Sequence, residues 1–216
     1  MKFFYSMYPI MGVAALFASC DIFIKNKSEA SYPARSQGTE LTSARKINYS
    51  PALLNRASEA KKYATKNDFS TSYCFLIDMS IHSGRNRFFV FDLEKDAIIM
   101  SGLVAHGSCG ETFSSEAKFS NAPNCGCSSG GKYKVGGAYR GQYGKSYKLY
   151  GLESTNSNAY KRAVVLHGYS CVPDEEIYPK VVCNSLGCAM VSPSFFCGLG
   201  AIIDKSKKPI VLWVYK

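Results

Sequence analysis

Ser72-Tyr73-Cys74-Phe75-Leu76-Ile77-Asp78-Met79 is an almost unbroken run of apolar, aromatic and β-branched side chains with polar residues on either side. A short run of this kind, bounded by turn formers, is a strand signal, because branched and aromatic side chains pack well on a pleated surface. The pattern recurs at residues 87–93 and 97–105, and Ser83-Gly84-Arg85-Asn86 supplies the turn between the first two runs. Further runs at 146–151, 163–167 and 209–215 extend the series. The expected domain is β-rich and built on a mostly antiparallel sheet. Residues 106–145 are rich in Gly, Ser and Asn with little apolar periodicity. They read as a long loop over a cleft, the kind of segment that carries function.

Two helices accompany the strands. Ser50-Pro51 offers an N-cap with proline in the first turn, and Leu53, Leu54, Ala57, Ala60 and Tyr63 follow at helical spacing to about Lys66. Ser192-Pro193 starts a second helix that covers Phe195 to about Ile203.

The chain ahead of the first helix has another character. Met1 and Lys2 precede an uncharged stretch over residues 3–17, too short to span a membrane, that ends in the small residues Ala18 and Ser19. Leu16-Phe17-Ala18-Ser19-Cys20 resembles the bacterial lipobox, in which the cysteine becomes the acylated mature N-terminus; the alternative is ordinary signal-peptidase cleavage with Cys20 kept as a free or disulfide-bonded residue. About residues 26–45 are rich in Ser, Lys, Glu, Gly and Pro, as in a flexible tether. The expected organisation is a signal peptide over 1–19, a lipid anchor at Cys20 with a linker to 48, and one domain over 49–216 with a leading helix. Such a chain is exported and held to a bacterial membrane through its N-terminal lipid, facing the periplasm or the cell surface.

With 216 residues, 46% hydrophobic, the chain can bury a real core. Its formal net charge of +10 draws it loosely toward anionic surfaces without naming a ligand. Nucleic acid is not the expected partner, because the sequence has no Arg-rich helix, aromatic–basic sheet motif or zinc-finger spacing. The tightest basic run, Lys205, Lys207 and Lys208 beside Pro209, reads as a solvated turn.

There are nine cysteines: Cys20, Cys74, Cys109, Cys125, Cys127, Cys171, Cys183, Cys188 and Cys197. With Cys20 lipidated and Cys188 reactive, the others can form up to three disulfides in an oxidising compartment, with one thiol over. Cys125-Gly126-Cys127, with Cys109 able to join it, is the one candidate metal set, and no second paired-Cys or spaced-His element completes a tetrahedron. No metal and no cofactor are expected.

The chemistry concentrates in two places. Ala163-Val164-Val165-Leu166-His167-Gly168 puts a histidine at the end of an apolar strand, and Asn184-Ser185-Leu186-Gly187-Cys188-Ala189 then delivers a cysteine directly after a glycine. A thiolate is the reactive form of cysteine, and a nearby imidazole takes its proton and stabilises the resulting charge. The glycine lets a substrate carbonyl approach backbone N–H groups that would form an oxyanion hole. Taken alone, a cysteine in an exported, cysteine-rich chain is by default a disulfide partner and a histidine after a strand is structural. It is the pairing that marks them.

His167-Gly168 followed by Ser185-Leu186-Gly187-Cys188 resembles the signature of the murein L,D-transpeptidase catalytic domain family, the YkuD-like L,D-transpeptidases. The resemblance covers about residues 73–215. Leu76-Ile77-Asp78-Met79-Ser80, Phe89-Val90-Phe91-Asp92-Leu93, Leu103-Val104-Ala105-His106-Gly107, Phe119-Ser120-Asn121, Ser128-Ser129-Gly130-Gly131 and Tyr147-Lys148-Leu149-Tyr150-Gly151-Leu152-Glu153 follow it in order. It departs from the family at Leu186, where many members have His, and at Met190, where many have Arg.

The resemblance implies a mainly β fold, a mixed β-sandwich or barrel with one or two short helices. It also implies a monomer acting on peptidoglycan stem peptides. Cys188 would be the nucleophile and His167 its base, oriented by the Gly168 carbonyl. Gly187 and Cys188 N–H groups would form the oxyanion hole, Ser185 would shape the turn or contact substrate, and His106 would line the cleft. Attack on the third residue of a stem tetrapeptide would give a thioester, which an amine acceptor resolves by transpeptidation or water by L,D-carboxypeptidation. A non-enzymatic, disulfide-stabilised cell-wall lipoprotein is the remaining reading. A sortase-like enzyme needs an Arg after the cysteine, and none follows Arg162.

Overall fold

The computed structural model describes residues 50–216; the expected signal peptide, Cys20 and nearly all of the linker lie outside them. Helix α1, Pro51–Lys66, opens the described chain. Strands β1 (Tyr73–Asp78), β2 (Phe88–Asp92), β3 (Ala97–Gly102), β4 (Val104–Ala105), β5 (Gly131–Gly141), β6 (Gly144–Gly151), β7 (Val165–Gly168) and β8 (Ala189–Val191) follow. Helix α2 (Pro193–Lys205) and strand β9 (Val211–Tyr215) end it. Both helices start as their serines dictate: Ser50 Oγ accepts from Leu53 N and Ser192 Oγ from Phe195 N, each at 3.2 Å, with proline in the first turn.

The strands form one mixed sheet in the order β3-β2-β1-β9-β5-β6-β7-β8-β4. The β1–β9 and β7–β8 pairs are parallel and the rest antiparallel. One residue, Leu103, separates β3 from β4, which stand at opposite ends of that order. The sheet must therefore curl until its two edges approach, yet among the described residues no ladder joins them and it is not closed. Residues 97–105 are thus two strands rather than the single one that their apolar run predicts.

One face of the curled sheet holds the main core, where Phe75, Ile77, Val90, Tyr133, Tyr147, Leu166, Val191, Leu212 and Val214 meet Leu199 of α2. On the other face, Leu53, Ala57 and Ala60 of α1 cover Cys74, Leu76, Phe91 and Trp213. β1 is therefore buried on both sides between β2 and β9, which is why its sequence is a continuous apolar run instead of an alternation.

Residues 106–145 are not loop throughout. β5 occupies 11 of them and pairs with both β6 and β9. Gly131-Lys132-Tyr133-Lys134-Val135 alternates buried and half-buried positions, a period-two pattern that the flanking glycines obscure. The register then shifts between Val135 and Ala138 at Gly136-Gly137. A Cβ on Gly136 would come within 2.5 Å of the Tyr150 ring, so glycine is required at that bulge. The rest of the segment is irregular, tied down by the Cys109–Cys127 disulfide and by isolated bridges Gly107↔Ser185 and Phe119↔Ser128.

Candidate active site

The parallel pair β7–β8 brings the two motifs together. Its register is Leu166↔Ala189, His167↔Met190 and Gly168↔Val191. Leu166, Ala189 and Val191 point into the main core, so the two-residue period turns His167 and Met190 to the other face. Cys188, one position before β8, falls on that same face in line with Val165. Two residues far apart in sequence thus stand on adjoining strands and one surface. In this conformation the Cys188 thiol donates toward the Ala163 carbonyl, Sγ···O 3.8 Å.

His167 is 2% exposed. Its Nδ1 lies 3.3 Å from the Gly168 carbonyl. A carbonyl only accepts, so this contact places the neutral ring's proton on Nδ1 and leaves Nε2 bare to take one. Tyr143, from the β5–β6 hairpin tip, stacks on the imidazole with ring centres 4.3 Å apart and planes at 18°, and Tyr169 meets Tyr143 edge-on at 5.8 Å. Neither tyrosine stood out in the sequence. Tyr143 lies in the stretch that reads as loop, and the hairpin Gly141-Gln142-Tyr143-Gly144 that aims it is visible only once β5 is paired with β6.

Burial acts on both side chains in the direction of neutrality. It lowers the pKa of His167, against the Gly168 carbonyl, which favours the cation. It raises that of Cys188, against the Val165 backbone N–H and the Arg162 guanidinium, which favour the thiolate. Both shifts favour the neutral thiol and the neutral imidazole over an ion pair. The alkylation rate of Cys188 in the free protein is accordingly expected to keep rising through about pH 8.5, the ordinary cysteine value, instead of levelling off in acid. Iodoacetamide labelling read by mass across pH checks this; a plateau at about pH 6 would mean a preformed thiolate–imidazolium pair.

Ser185 shapes the turn that carries Cys188. Its hydroxyl donates to the Cys188 carbonyl at 2.8 Å and accepts from Gly187 N at 3.1 Å. In this conformation the Gly187 N–H is thus engaged by the Ser185 hydroxyl. Gly187 has φ +113°, and a Cβ there would lie 2.6 Å from the Cys127 carbonyl oxygen. Gly187→Ala is expected to lower turnover about 100-fold, because a displacement of about 1 Å at a reacting centre has that effect. Steady-state kinetics on a variant shown to be folded by circular dichroism measure it.

Arg162 fastens the neighbouring loop beneath this turn. It donates to the carbonyls of Ser120 and Cys127 and to Ser129 Oγ. Leu186 is 77% exposed, two positions before Cys188.

His106 does not line an open cleft. It is 1% exposed, with Nδ1 2.8 Å from Arg87 Nη2. Its backbone carbonyl accepts from Ser185 N at 2.8 Å, so His106 braces the 184–188 turn. The apolar strand-end position that resembles His167 arises because β4 is an edge strand packed under the 184–188 turn.

The cysteines are also sorted. Cys109–Cys127 and Cys171–Cys183 are disulfides, and Cys74, Cys125 and Cys188 are free thiols. Bridging removes Cys171 and Cys183 as partners that could capture Cys188. Cys109 and Cys127 are bonded to each other, and among the described residues no His, Cys, Asp or Glu cluster could hold a metal ion.

Residues 44–215 match the L,D-transpeptidase catalytic domain family. The chain belongs to that family. Among solved structures, this L,D-transpeptidase-family chain is similar to an L,D-transpeptidase from Mycobacterium smegmatis, with 12% identity and a TM-score of 0.39, over 67% of this chain and 59% of that one. It is also similar to the helical cell shape determining protein Pgp2 from Campylobacter jejuni, with 8% identity and a TM-score of 0.44, over 78% of this chain and 57% of that one. The chain thus spans less than two thirds of the length of these solved relatives. No curated protein matches it.

Proposed function

We propose that this L,D-transpeptidase-family domain is a cysteine-dependent peptidoglycan L,D-transpeptidase, with Cys188 as nucleophile and His167 as base. The observation that supports it is the β7–β8 register, which sets both side chains on one face. His167 Nε2 takes the thiol proton as sulfur attacks the carbonyl of the third residue of a stem tetrapeptide. The Cys188 N–H receives the developing oxyanion. The C–N bond to the terminal D-Ala breaks, the imidazolium returns its proton to that amine, and a thioester remains. An amine of a neighbouring stem then takes the acyl group. Gly168 orients the imidazole, and Ser185 and Gly187 hold the turn.

The same acyl-enzyme would act as an L,D-carboxypeptidase with water as acceptor. Export and lipidation at Cys20, with residues 20–48 as a tether, would place the domain against the wall from a membrane, and we propose that placement from the sequence alone. Incubating the domain with tetrapeptide muropeptides and following products by mass tests the reaction. A cross-linked dimer identifies transpeptidation and a shortened tripeptide identifies hydrolysis. Absence of both, with the Cys188 thiol intact, would leave the non-enzymatic wall-binding reading.

A further inference from the structure

β7 pairs on its other side with β6, in the register Ser146↔His167, Tyr147↔Leu166 and Lys148↔Val165. Tyr147 and Leu166 enter the core, so Ser146, Lys148 and Tyr150 emerge on the face that carries His167 and Cys188. Lys134, the register partner of Tyr150 on β5, joins them. Lys148, Val165 and Cys188 stand in one row across β6, β7 and the start of β8. At a strand spacing of about 4.8 Å, the Lys148 and Cys188 positions are roughly 10 Å apart, about three residues of extended peptide. α1 covers this face over β1, β2 and β9, and the apolar cluster beneath it does not extend to β5 and β6.

Both lysines are held in place. Lys148 Nζ lies 5.4 Å from the Tyr139 ring centre and 5.3 Å from that of Tyr160, and Lys134 Nζ lies 4.8 Å from that of Tyr150. Tyr150 and Tyr160 stack on each other at 5.1 Å and 11°. Among the described residues neither lysine has a carboxylate partner, whereas Lys132 next along β5 is paired with Glu153 at 2.7 Å. A free lysine loses rotamer freedom when it meets an anion. The aromatic rings beside these two already restrict them in part, so a carboxylate arriving there meets a partly preordered cation with no carboxylate partner among the described residues.

We propose that this strip is a docking surface for the peptidoglycan strand, with stem-peptide carboxylates over Lys148 and Lys134 while the carbonyl to be attacked lies at Cys188. The proposal rests on Cys188 as the reacting end. Continuity with that residue favours an acidic peptide strand over an anionic lipid surface, because a carboxylate within three residues of the scissile carbonyl reaches Lys148.

The test is binding, which needs no turnover. Sedimentation with insoluble peptidoglycan is measured for the wild type, Lys134→Glu/Lys148→Glu, Cys188→Ala, and a control, Lys62→Glu/Lys180→Glu, that reverses the same charge on exposed sites elsewhere. It is repeated with peptidoglycan whose carboxylates have been amidated, and with phosphatidylglycerol vesicles. The strip variant is expected to bind peptidoglycan about tenfold more weakly than the wild type. The control and Cys188→Ala should bind as the wild type does, and amidation should erase the difference between wild type and strip variant. Lys134→Gln/Lys148→Gln, with thermal unfolding as the folding check, should weaken binding in the same direction. Undiminished binding by the strip variant, an equal loss in the control, or a loss confined to vesicles would overturn the proposal. Retained binding by Cys188→Ala alongside a missing wild-type reaction would count against the enzymatic reading and not against the strip.

Discussion

Cys188→Ala is expected to reduce the formation of cross-linked or shortened muropeptide by at least about 10⁴-fold, the scale seen when the nucleophile of a covalent mechanism is removed. The reason is that nothing else on this face can take its place. Among the described residues, the free thiols other than Cys188 are Cys74, buried beneath α1 with its pKa pushed up to about 12, and Cys125, which belongs to the loop strapped down by Arg162 and the Cys109–Cys127 bridge. A binding step, the oxyanion donor and His167 all survive the substitution, so residual rate from water attack sets the floor. Stability should move by less than about 1 kcal/mol, because the change deletes one sulfur whose hydrogen bond to Ala163 is long. Mass analysis of muropeptide products beside a thermal melt separates the two effects. Products at the wild-type rate from a well-folded Cys188→Ala protein would remove the acyl-enzyme from the mechanism.

What could be read from sequence follows what burial imposes on single residues. β1, covered on both faces, had no choice but a continuous apolar run, and it was legible. The two serine–proline helix starts were legible for a similar reason, since a cap satisfies local backbone donors that nothing distant can reach. β5 was not, because its outward positions are Lys132 and Lys134 and its middle is a glycine bulge forced by the Tyr150 ring. Each of these local signals points to a turn, and only pairing with β6 and β9 overrides them.

The site divides along the same line. His167 and Cys188 announce themselves through the glycines beside them. Tyr143, Tyr169 and Arg162 do not, since their contributions depend on where a hairpin tip and a loop end come to rest. His106 is the instructive comparison. A histidine before glycine at an apolar strand end is the same local text as His167-Gly168, and the difference between them is made by Arg87, 19 positions away in sequence.

Arg87→Met is expected to lower unfolding stability by about 3 kcal/mol at neutral pH, on the scale of orphaned buried acceptors at about 1–3 kcal/mol each, partly offset by no longer burying a cation. Arg87 is 0% exposed, and burial pulls its pKa down to about 10, still charged at neutral pH. Its Nε and Nη2 donate to the Val104 carbonyl at 3.0 and 2.8 Å, Nη1 to that of Ile81 at 3.1 Å, and Nη2 to His106 Nδ1 at 2.8 Å. A guanidinium can only donate, so Nδ1 is the acceptor and His106 carries its proton on Nε2, which faces the Asn184 side-chain amide at 3.3 Å. Burial first, and then the Arg87 charge, brings the His106 pKa down to about 4. Its neutral form is therefore the folded form, and the stability it contributes is complete above about pH 6.5, where the unfolded histidine is also neutral, and is lost as pH falls toward 4. Removing Arg87 lets His106 accept a proton more readily in the folded state, so wild type and variant should converge as pH drops through that window. Urea unfolding of both proteins at about pH 7.5 and pH 4.5 measures it. Because the His106 carbonyl holds Ser185 N, the folded variant should also turn over more slowly at temperatures well below its melt. A stability difference under about 1 kcal/mol, or one that does not change with pH, would mean that the Arg87–His106 pair does not brace the turn that carries Cys188.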